Sequence, residues 1–290
     1  MRLKARAKIN WTLDIVGQRE DGYHLMDMLM QPVSLSDEIT LAPAKDITLT
    51  TGGFPLLPAD EKHLAYRAAL ALKHYSGYSR GAAIHVDKRI PVGAGMGGGS
   101  ADAAGVLTGL NRLWGLHLSR DELEAIGLTL GADVPFCIRG GLARTTGIGE
   151  IMQPLPCGRC WPLVVVQPCE GLSTKEIFTA YHADTRHERP NNAAAALALQ
   201  KGDGQALNAA MANVMQPVSA ARRDGIAQAI CMLKEQGAFA AQMTGSGSAV
   251  FGAFESEAAA DTAFAALHAP WANTFRCKTC MESVVIDHED

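Results

Sequence analysis

Five glycines between Pro91 and Ala104 constrain this chain more than any other feature of its sequence. The stretch reads Pro-Val-Gly-Ala-Gly-Met-Gly-Gly-Gly-Ser-Ala-Asp-Ala-Ala. Glycine has no Cβ, so the backbone here can turn tightly and bring several N–H groups against one anion. Ser100 is a favourable N-cap residue, and apolar residues recur after it at helical spacing. The sequence therefore predicts a phosphate-binding loop that leads into the N-terminus of a helix.

Two known nucleotide-binding motifs fit this loop only in part. Gly93-x-Gly95-x-x-Gly98 matches the dinucleotide fingerprint, but that motif follows a strand that is apolar almost throughout. The preceding segment, 83–90, alternates apolar and polar residues, as a half-buried antiparallel strand does. A Walker A loop requires lysine where this chain has Gly99. Both motifs are therefore disfavoured. A phosphate site at this loop must take its cation from elsewhere in the chain. The alternative is a glycine-rich surface turn that has no function.

Length and charge exclude several classes of protein. A chain of 290 residues is long enough for one large domain or two medium domains, each with its own core. A net charge of -4 argues against a surface for nucleic acid or for an anionic membrane, which needs clustered lysine and arginine. No apolar run approaches the ~18 residues of a membrane span, and the N-terminus does not resemble a signal peptide. We therefore expect a cytoplasmic enzyme without a nucleic-acid or membrane partner.

Two C-x-x-C pairs, 157–160 and 277–280, raise the question of a zinc or redox site. Paired zinc knuckles usually lie ~15–20 residues apart, whereas these pairs are far apart in the chain. Pro154 and Pro156 place the first pair in a connector, not at a helix start, where the pKa of a thiol falls. Reduced structural cysteines and no metal site are the favoured interpretation.

Residues 2–15 alternate polar and apolar side chains, which predicts a long strand with two unlike faces. The odd-numbered residues are apolar and form the face that packs. The even-numbered face carries Lys8 and Asn10, which can point together into a cleft, and Lys8 can supply the cation that the glycine loop lacks. A solvated charged face is the alternative interpretation.

Three further residues are candidates for a site. Tyr23 and His24 follow an Asp-Gly turn, and they are either ordinary hairpin residues or a stacking and hydrogen-bonding pair for a flat heterocycle. Asp133 follows a helix that starts at the capping box Ser119-x-x-Glu122 and ends at Gly131. From the residues alone, a turn-capping role is favoured for Asp133 over a partly buried functional acid.

The remaining segments predict two domains. A helix over 60–75 ends before Gly77, and a connector over 153–160 places the domain boundary between 155 and 156. The second half opens with a strand over 163–166 and a helix capped by Ser173. Then follow an exposed loop over 184–191, alanine-rich helices to about 236, strands over 238–243 and 249–254, a helix over 257–268 and a strand over 282–286. This order suggests a small antiparallel sheet backed by helices.

Three sequence blocks together resemble the GHMP kinase superfamily. They are Ala7-Lys8-Ile9-Asn10, the loop 91–104 and Gly245-Ser246-Gly247-Ser248. The resemblance runs from end to end and implies an α+β, two-domain GHMP kinase-like fold. Residues 1–155 would form an N-terminal domain of the ribosomal protein S5 domain 2 type, and residues 156–290 a ferredoxin-like C-terminal domain. ATP and the substrate would lie between the two.

Gly22-Tyr23-His24 and the segment 130–136 resemble one branch of this superfamily in particular. That branch phosphorylates the 2-hydroxyl of a cytidine diphosphate-linked methylerythritol, in the non-mevalonate route to isoprenoid precursors. The resemblance therefore implies a small-molecule kinase that uses ATP and Mg²⁺. Ser100 is the first candidate for a protein ligand of that Mg²⁺.

The resemblance also implies roles for individual residues. Asp133 would be the general base on the hydroxyl, and Lys8 the cation beside it. The substrate-binding residues would be Asn10 and His24, as hydrogen-bonding partners, with Tyr23 and Phe178 on either side of the cytosine. The residues around ATP would be Pro91, Val92, Gly93, Ala94, Gly95, Met96, Gly97, Gly98, Gly99, Ser100 and Ala101.

One departure and two alternatives stand beside this expectation. Ser100-Ala101-Asp102 replaces the Ser-Ser-Asn expected in many relatives, which adds the carboxylate of Asp102 close to bound phosphate. A GHMP kinase for homoserine or mevalonate would share the loop but would have no use for the cytosine-facing residues. A non-catalytic nucleotide-binding module would need neither Lys8 nor Asp133.

Overall fold

The computed structural model describes residues 1–53, 58–181, 188–271 and 273–288. The strands, in chain order, are β1 (Arg2–Gln18), β2 (His24–Ala44), β3 (Thr48–Gly52), β4 (Gly81–Asp87), β5 (Leu142–Gly147), β6 (Ile151–Leu155), β7 (Pro162–Val166), β8 (Ala240–Met243), β9 (Val250–Ala253), β10 (Thr274–Lys278) and β11 (Val284–His288). The helices are α1 (Leu64–Ser76), α2 (Gly98–Leu113), α3 (Arg120–Leu128), α4 (Val134–Arg139), α5 (Thr174–Ala180), α6 (Asn192–Lys201), α7 (Gly204–Ala210), α8 (Gln216–Ala220), α9 (Asp224–Glu235) and α10 (Glu257–His268).

A seven-stranded sheet forms the larger layer, with the path β11-β1-β2-β4-β3 and with β5 and β6 branching from β2. The strand expected before the glycine loop is β4, which pairs antiparallel with β2, as predicted, and parallel with β3. It ends at Asp87 because the N–H groups of Arg89 and Ile90 donate to the carboxylate of Asp37 instead of continuing the ladder. The chain therefore leaves the sheet at a fixed point, immediately before the loop.

Strand β1 is buried on both faces between Ala7 and Ile15. Its odd-numbered residues are apolar and buried in the core, as predicted. Its even-numbered residues from Lys8 to Asp14 are buried as well, so the alternative of a solvated face is wrong for them. Segments from the second half of the chain cover them: the N–H of Asn10 donates to Thr244, and that of Leu13 to the carbonyl of Ala212.

The smaller sheet has four strands in the order β10-β7-β9-β8, and its chain order is βαββαβ, which is the ferredoxin-like arrangement. The hairpin predicted over 238–254 is present as β8 and β9. The last strand was expected to complete this sheet, which is wrong: β11 pairs with the edge of β1, and β10 completes the small sheet instead. The boundary at 155 and 156 stays a prediction. Of the loop predicted over 184–191, residues 184–187 lie outside the described residues.

Capping explains where several helices begin and end. The predicted box of Ser119 and Glu122 opens α3, which stops at Leu128, before the predicted Gly131. Helix α1 begins at Leu64, later than predicted, because the His63 side chain accepts the N–H of Ala65. Helix α10 covers 257–268, as predicted. Within the described parts of the chain, no helix has the length and apolarity that crossing a membrane requires.

Helix α2 carries the glycine loop and packs tightly on the sheet. A Cβ on Gly109 would lie 2.5 Å from Leu41 Cδ1, so glycine is needed for this close approach. The predicted N-cap role of Ser100 is wrong, because the N-cap is Gly97, at φ 71°, and Ser100 lies inside the first turn. The left-handed conformation at Gly97 ends the loop and starts the helix three residues earlier than a serine cap would.

Candidate active site

A cavity of about 1250 Å³ opens where β1, the glycine loop and the β8–β9 loop meet. Most of the residues predicted for a site line it. They are Lys8, Asn10, Tyr23, His24, Gly93, Gly95, Gly97, Gly98, Gly99, Ser100, Asp133 and Phe178. The structure thus brings together residues that are up to 170 positions apart in the sequence.

Lys8 and Asp133 face each other at the floor of this cavity. Lys8 is 5% exposed, and its Nζ donates to Asn10 Oδ1 at 2.8 Å and to the carbonyl of Gly95 at 2.9 Å. Its Nζ lies 3.5 Å from Asp133 Oδ2. This arrangement holds one ammonium group against one carboxylate that still reaches solvent, since the Asp133 side chain is 33% exposed.

The turn-capping interpretation of Asp133 is wrong. The residue does occupy the N-cap position of α4, but its side chain makes no capping hydrogen bond. Its backbone is already helical at φ -82° and ψ -13°, a conformation that directs the carboxylate away from the free N–H groups of the helix. The carboxylate is instead directed at Lys8, which leaves it available to a ligand in the cavity.

Three glycines give the loop its shape. Gly93, Gly95 and Gly97 have φ values of 65°, 76° and 71°, which side chains disfavour. A Cβ on Gly95 would also lie 2.2 Å from the carbonyl oxygen of Thr244, so the loop and the β8–β9 loop are in backbone contact. The two glycine-rich blocks of the sequence therefore form one wall.

Some residues of the predicted ATP set do not reach the cavity. Ala94, Met96 and Ala101 are at most 2% exposed and pack into the core. The Met96 carbonyl accepts the N–H of Lys8, and the Ala94 carbonyl accepts that of Ala249. These residues anchor the loop, while the glycines and Ser100 provide the surface that a ligand would meet.

A smaller cavity of about 260 Å³ adjoins the glycine loop on its other side. One wall of this cavity is formed by Pro91, Val92 and Gly93. The opposite wall is formed by residues that precede or begin α1, which are Pro58, Asp60, Lys62, His63 and Leu64. Gly93, Gly98 and Gly99 line both cavities. One elongated ligand can therefore occupy the small cavity and extend across the loop into the large one.

A buried charge cluster beneath the loop accounts for Asp102. Lys88 Nζ donates to Asp102 Oδ2 at 2.6 Å and to the carboxylate of Asp37, and all three side chains are at most 3% exposed. Burial raises the pKa of Asp102 well above its usual range. Burial alone would lower the pKa of Lys88, but the charges of the two carboxylates have the larger effect, so the pKa of Lys88 is raised overall. Asp102 is therefore directed at Lys88, away from a phosphate at the loop.

The aromatic end of the large cavity is partly assembled. The rings of His24 and Phe178 stack with centroids 5.2 Å apart and planes 24° apart. Tyr181 meets His24 edge-on at 6.1 Å. Tyr23 lies on the same wall and is 61% exposed. Tyr23, His24 and Phe178 are thus brought to one end of the cavity, as predicted, with His24 lying on the ring of Phe178.

Sequence reasoning missed several polar residues of the site. Thr244 Oγ1 accepts the N–H of Asn10 at 3.0 Å, and the hydroxyls of Thr174 and Ser246 lie 2.9 Å apart. Asn213 donates to the carbonyls of Met243 and Gly245, each at 2.9 Å, and so supports the β8–β9 loop. Thr244 could have been found from its position next to the block 245–248. No motif of fixed spacing points to Asn213 or Thr174.

None of the seven cysteines lines this cavity. All seven are free thiols. Burial raises the pKa of Cys277 to about 12, and burial also raises that of Cys157, whose Sγ accepts a hydrogen bond from Gln31. Among the described residues, no group of three or more His, Cys, Asp or Glu side chains is arranged to hold a metal ion.

Comparison with known proteins places the chain in a family. Residues 63–141 match the model of the GHMP kinases N terminal domain, and residues 195–273 match that of the GHMP kinases C terminal domain. The 4-diphosphocytidyl-2-C-methyl-D-erythritol kinase of Alkaliphilus metalliredigens is 41% identical over 266 residues, which is 91% of each chain. That of Symbiobacterium thermophilum is 44% identical over 255 residues, 87% of this chain and 90% of the relative.

Solved structures agree. A crystal structure of 4-(cytidine 5'-diphospho)-2C-methyl-D-erythritol kinase superposes with a TM-score of 0.83 at 33% identity, covering 96% of this chain and 99% of that one. Homoserine kinase from Cytophaga hutchinsonii, at 18% identity and a TM-score of 0.78, shares the fold. The two-domain GHMP kinase fold predicted from the sequence is confirmed. The chain belongs to the GHMP kinases, in the family of the 4-diphosphocytidyl-2-C-methyl-D-erythritol kinases.

Proposed function

We propose that the protein transfers the γ-phosphoryl group of ATP to the 2-hydroxyl of 4-diphosphocytidyl-2-C-methyl-D-erythritol. The observation that carries the proposal is the Lys8–Asp133 pair, which lies between the glycine loop and the aromatic end of one cavity. The names of the relatives support the same substrate. Seven free thiols support a reducing, cytoplasmic location.

ATP would lie along the glycine loop. Its triphosphate would meet the free N–H groups at the start of α2, where the helix dipole also favours negative charge. Its nucleoside would occupy the smaller cavity, between Val92 and the start of α1. The terminal phosphate would then point into the large cavity, toward Lys8 and Asp133.

The reaction needs positioning and charge compensation more than covalent chemistry. Asp133 accepts the proton of the substrate hydroxyl while that oxygen forms a bond to the γ-phosphorus, and the bond from phosphorus to the ADP oxygen breaks. Lys8 offsets the negative charge around the reacting oxygens. Its bonds to Asn10 and to the Gly95 carbonyl fix its Nζ in place, so no reorganisation is needed during the reaction.

Mg²⁺ prefers oxygen ligands and usually binds through substrate phosphates with one or two protein groups. The cavity provides such donors in the Ser100 hydroxyl and the Asp133 carboxylate, whereas Asp102 is committed to Lys88. Ser100 would therefore hold the ion beside the triphosphate, while the Asp133 carboxylate is left to accept the proton of the substrate hydroxyl. When bound, it neutralises phosphate charge.

Substrate selection would rest on the aromatic end. Tyr23 and Phe178 would stack on the cytosine, a contact that every aromatic face can make with a base. His24 would hydrogen-bond the base once it moves from the ring of Phe178. Asn10 has its carbonyl oxygen committed to Lys8, while its amide nitrogen donates to the weak acceptor Met28 Sδ at 3.3 Å, so that nitrogen can bind a substrate hydroxyl instead.

A coupled ADP-release assay with three alcohols tests the proposal. We expect turnover with the cytidine diphosphate compound and little with homoserine or mevalonate, because neither fills the aromatic end of the cavity. Preference for homoserine or mevalonate would contradict the substrate. Saturable ATP binding without ADP release from any of them would favour a nucleotide-binding module.

A further inference from the structure

Helix α5 connects the two ends of the large cavity. At its start, the Thr174 hydroxyl meets that of Ser246, next to the glycine wall. One turn later, Phe178 stacks on His24 at the aromatic end. Residues four apart lie on the same helix face, about 6 Å apart along the axis. This turn of α5 therefore lines a passage from the aromatic end of the cavity to the glycine wall.

Lys175 lies on this turn and lines the cavity. It is three residues before Phe178 and four before Thr179, which also lines the cavity, so the three side chains are neighbours on one face. Lys175 is exposed, which allows its long side chain to place the ammonium over the passage.

The charges around the cavity single out this lysine. Among the described residues that line it, the lysines are Lys8 and Lys175, and there is no arginine. Lys8 is already held by Asn10, Gly95 and Asp133. The carboxylates on the lining are Asp133, at the floor, and Asp21, which pairs with Arg19. If a ligand carries an anionic group between the aromatic end of the cavity and Lys8, Lys175 is the cation available to bind it.

We propose that Lys175 binds the diphosphate of the cytidine substrate and so contributes to its selection. This inference rests on the proposed function, because that substrate carries its diphosphate between the cytosine and the hydroxyl that is phosphorylated. With the cytosine at Phe178 and the hydroxyl at Asp133, the diphosphate lies beside the first turn of α5. An ammonium–phosphate contact of this kind adds affinity without taking part in phosphoryl transfer.

The experiment compares CDP with cytidine as ligands, by calorimetry, on enzyme saturated with a non-hydrolysable ATP analogue so that the nucleotide site is filled. In the wild type, CDP should bind more tightly than cytidine. Lys175→Met should weaken CDP about three- to tenfold and leave the Kd of cytidine unchanged. Lys175→Arg should restore most of the CDP affinity, since it keeps the charge.

Kinetics provide the second readout. Lys175→Met should raise the KM for the cytidine diphosphate substrate by a similar factor, with a much smaller change in kcat and in the KM for ATP. Lys201→Met, at the exposed lysine that ends α6, is the matched control and should change neither of the KM values nor kcat. An unchanged ratio of CDP to cytidine affinity in Lys175→Met would overturn the inference while leaving the proposed function intact. Wild-type enzyme that does not turn over the cytidine substrate would instead refute the proposed function and this inference with it.

Discussion

The buried cluster of Lys88, Asp37 and Asp102 should be a main determinant of stability beneath the glycine loop. Lys88→Met removes the ammonium from between two carboxyl groups whose side chains are at most 1% exposed. Breaking a buried ion pair by removing one partner costs about 3–5 kcal/mol, because the remaining charge is left uncompensated. We therefore expect the free energy of unfolding to fall by about 3–5 kcal/mol in urea denaturation at neutral pH.

The adjacent residue provides a matched control. Arg89 pairs with Glu38 and Asp87, but its side chain is 52% exposed, so Arg89→Met should cost less than about 1 kcal/mol. The cost of Lys88→Met should also shrink toward acidic pH. Burial raises the pKa of Asp102, so its carboxyl group is neutral in the fold at low pH and destabilises the variant as it ionises with rising pH. Equal costs for the two variants, or a cost that grows as the pH falls, would refute this reasoning.

Three further predictions concern the loop, the aromatic end and one ion pair. Gly97→Ala places a Cβ 3.2 Å from Lys8 at φ +71°, and it should lower kcat about 10- to 100-fold in steady-state kinetics. Gly115→Ala, at φ +63° in open space, is the control, and denaturation and kinetics should show a loss of stability without a change in kcat. Phe178→Ala should raise the KM for the cytidine substrate, since base stacking contributes ~1–3 kcal/mol, and should leave that for ATP unchanged. The bonds from Arg144 lower the pKa of Asp27, so Arg144→Met should cost about 1 kcal/mol in denaturation at neutral pH, and this difference should vanish as the pH falls through that pKa.

Local patterns in the sequence were sufficient for much of the fold. Alternation in β1, the box at Ser119 and the glycine–serine block at 245–248 each depend on neighbouring residues, and each predicted its element. The last strand was assigned to the wrong sheet because a short apolar segment does not specify its partner strand; pairing with the edge of β1 depends on the folded chain.

The same distinction applies to the site. Lys8 and the glycines were identified from local sequence, but the role of Asp102 was not, because its partner Lys88 also binds Asp37, which lies far away in the chain, and all three are buried together. The neighbouring residues alone favoured a turn cap for Asp133, and only the resemblance to the GHMP kinases implied that it is the general base. In the folded chain, Asp133 has a helical backbone and no capping hydrogen bond, and its carboxylate faces Lys8 in the cavity.

The central claim is that Asp133 takes the proton from the substrate hydroxyl, and the kcat of Asp133→Asn tests it most directly. Asparagine preserves the shape and the N-cap position, and Asp203→Asn, at the cap of α7, is the control in which a true capping aspartate is changed in the same way. We expect Asp133→Asn to lower kcat by about 10²–10⁴ with little change in substrate binding, and Asp203→Asn to keep the wild-type rate. A folded Asp133→Asn protein with kcat within a few-fold of the wild type would contradict the account.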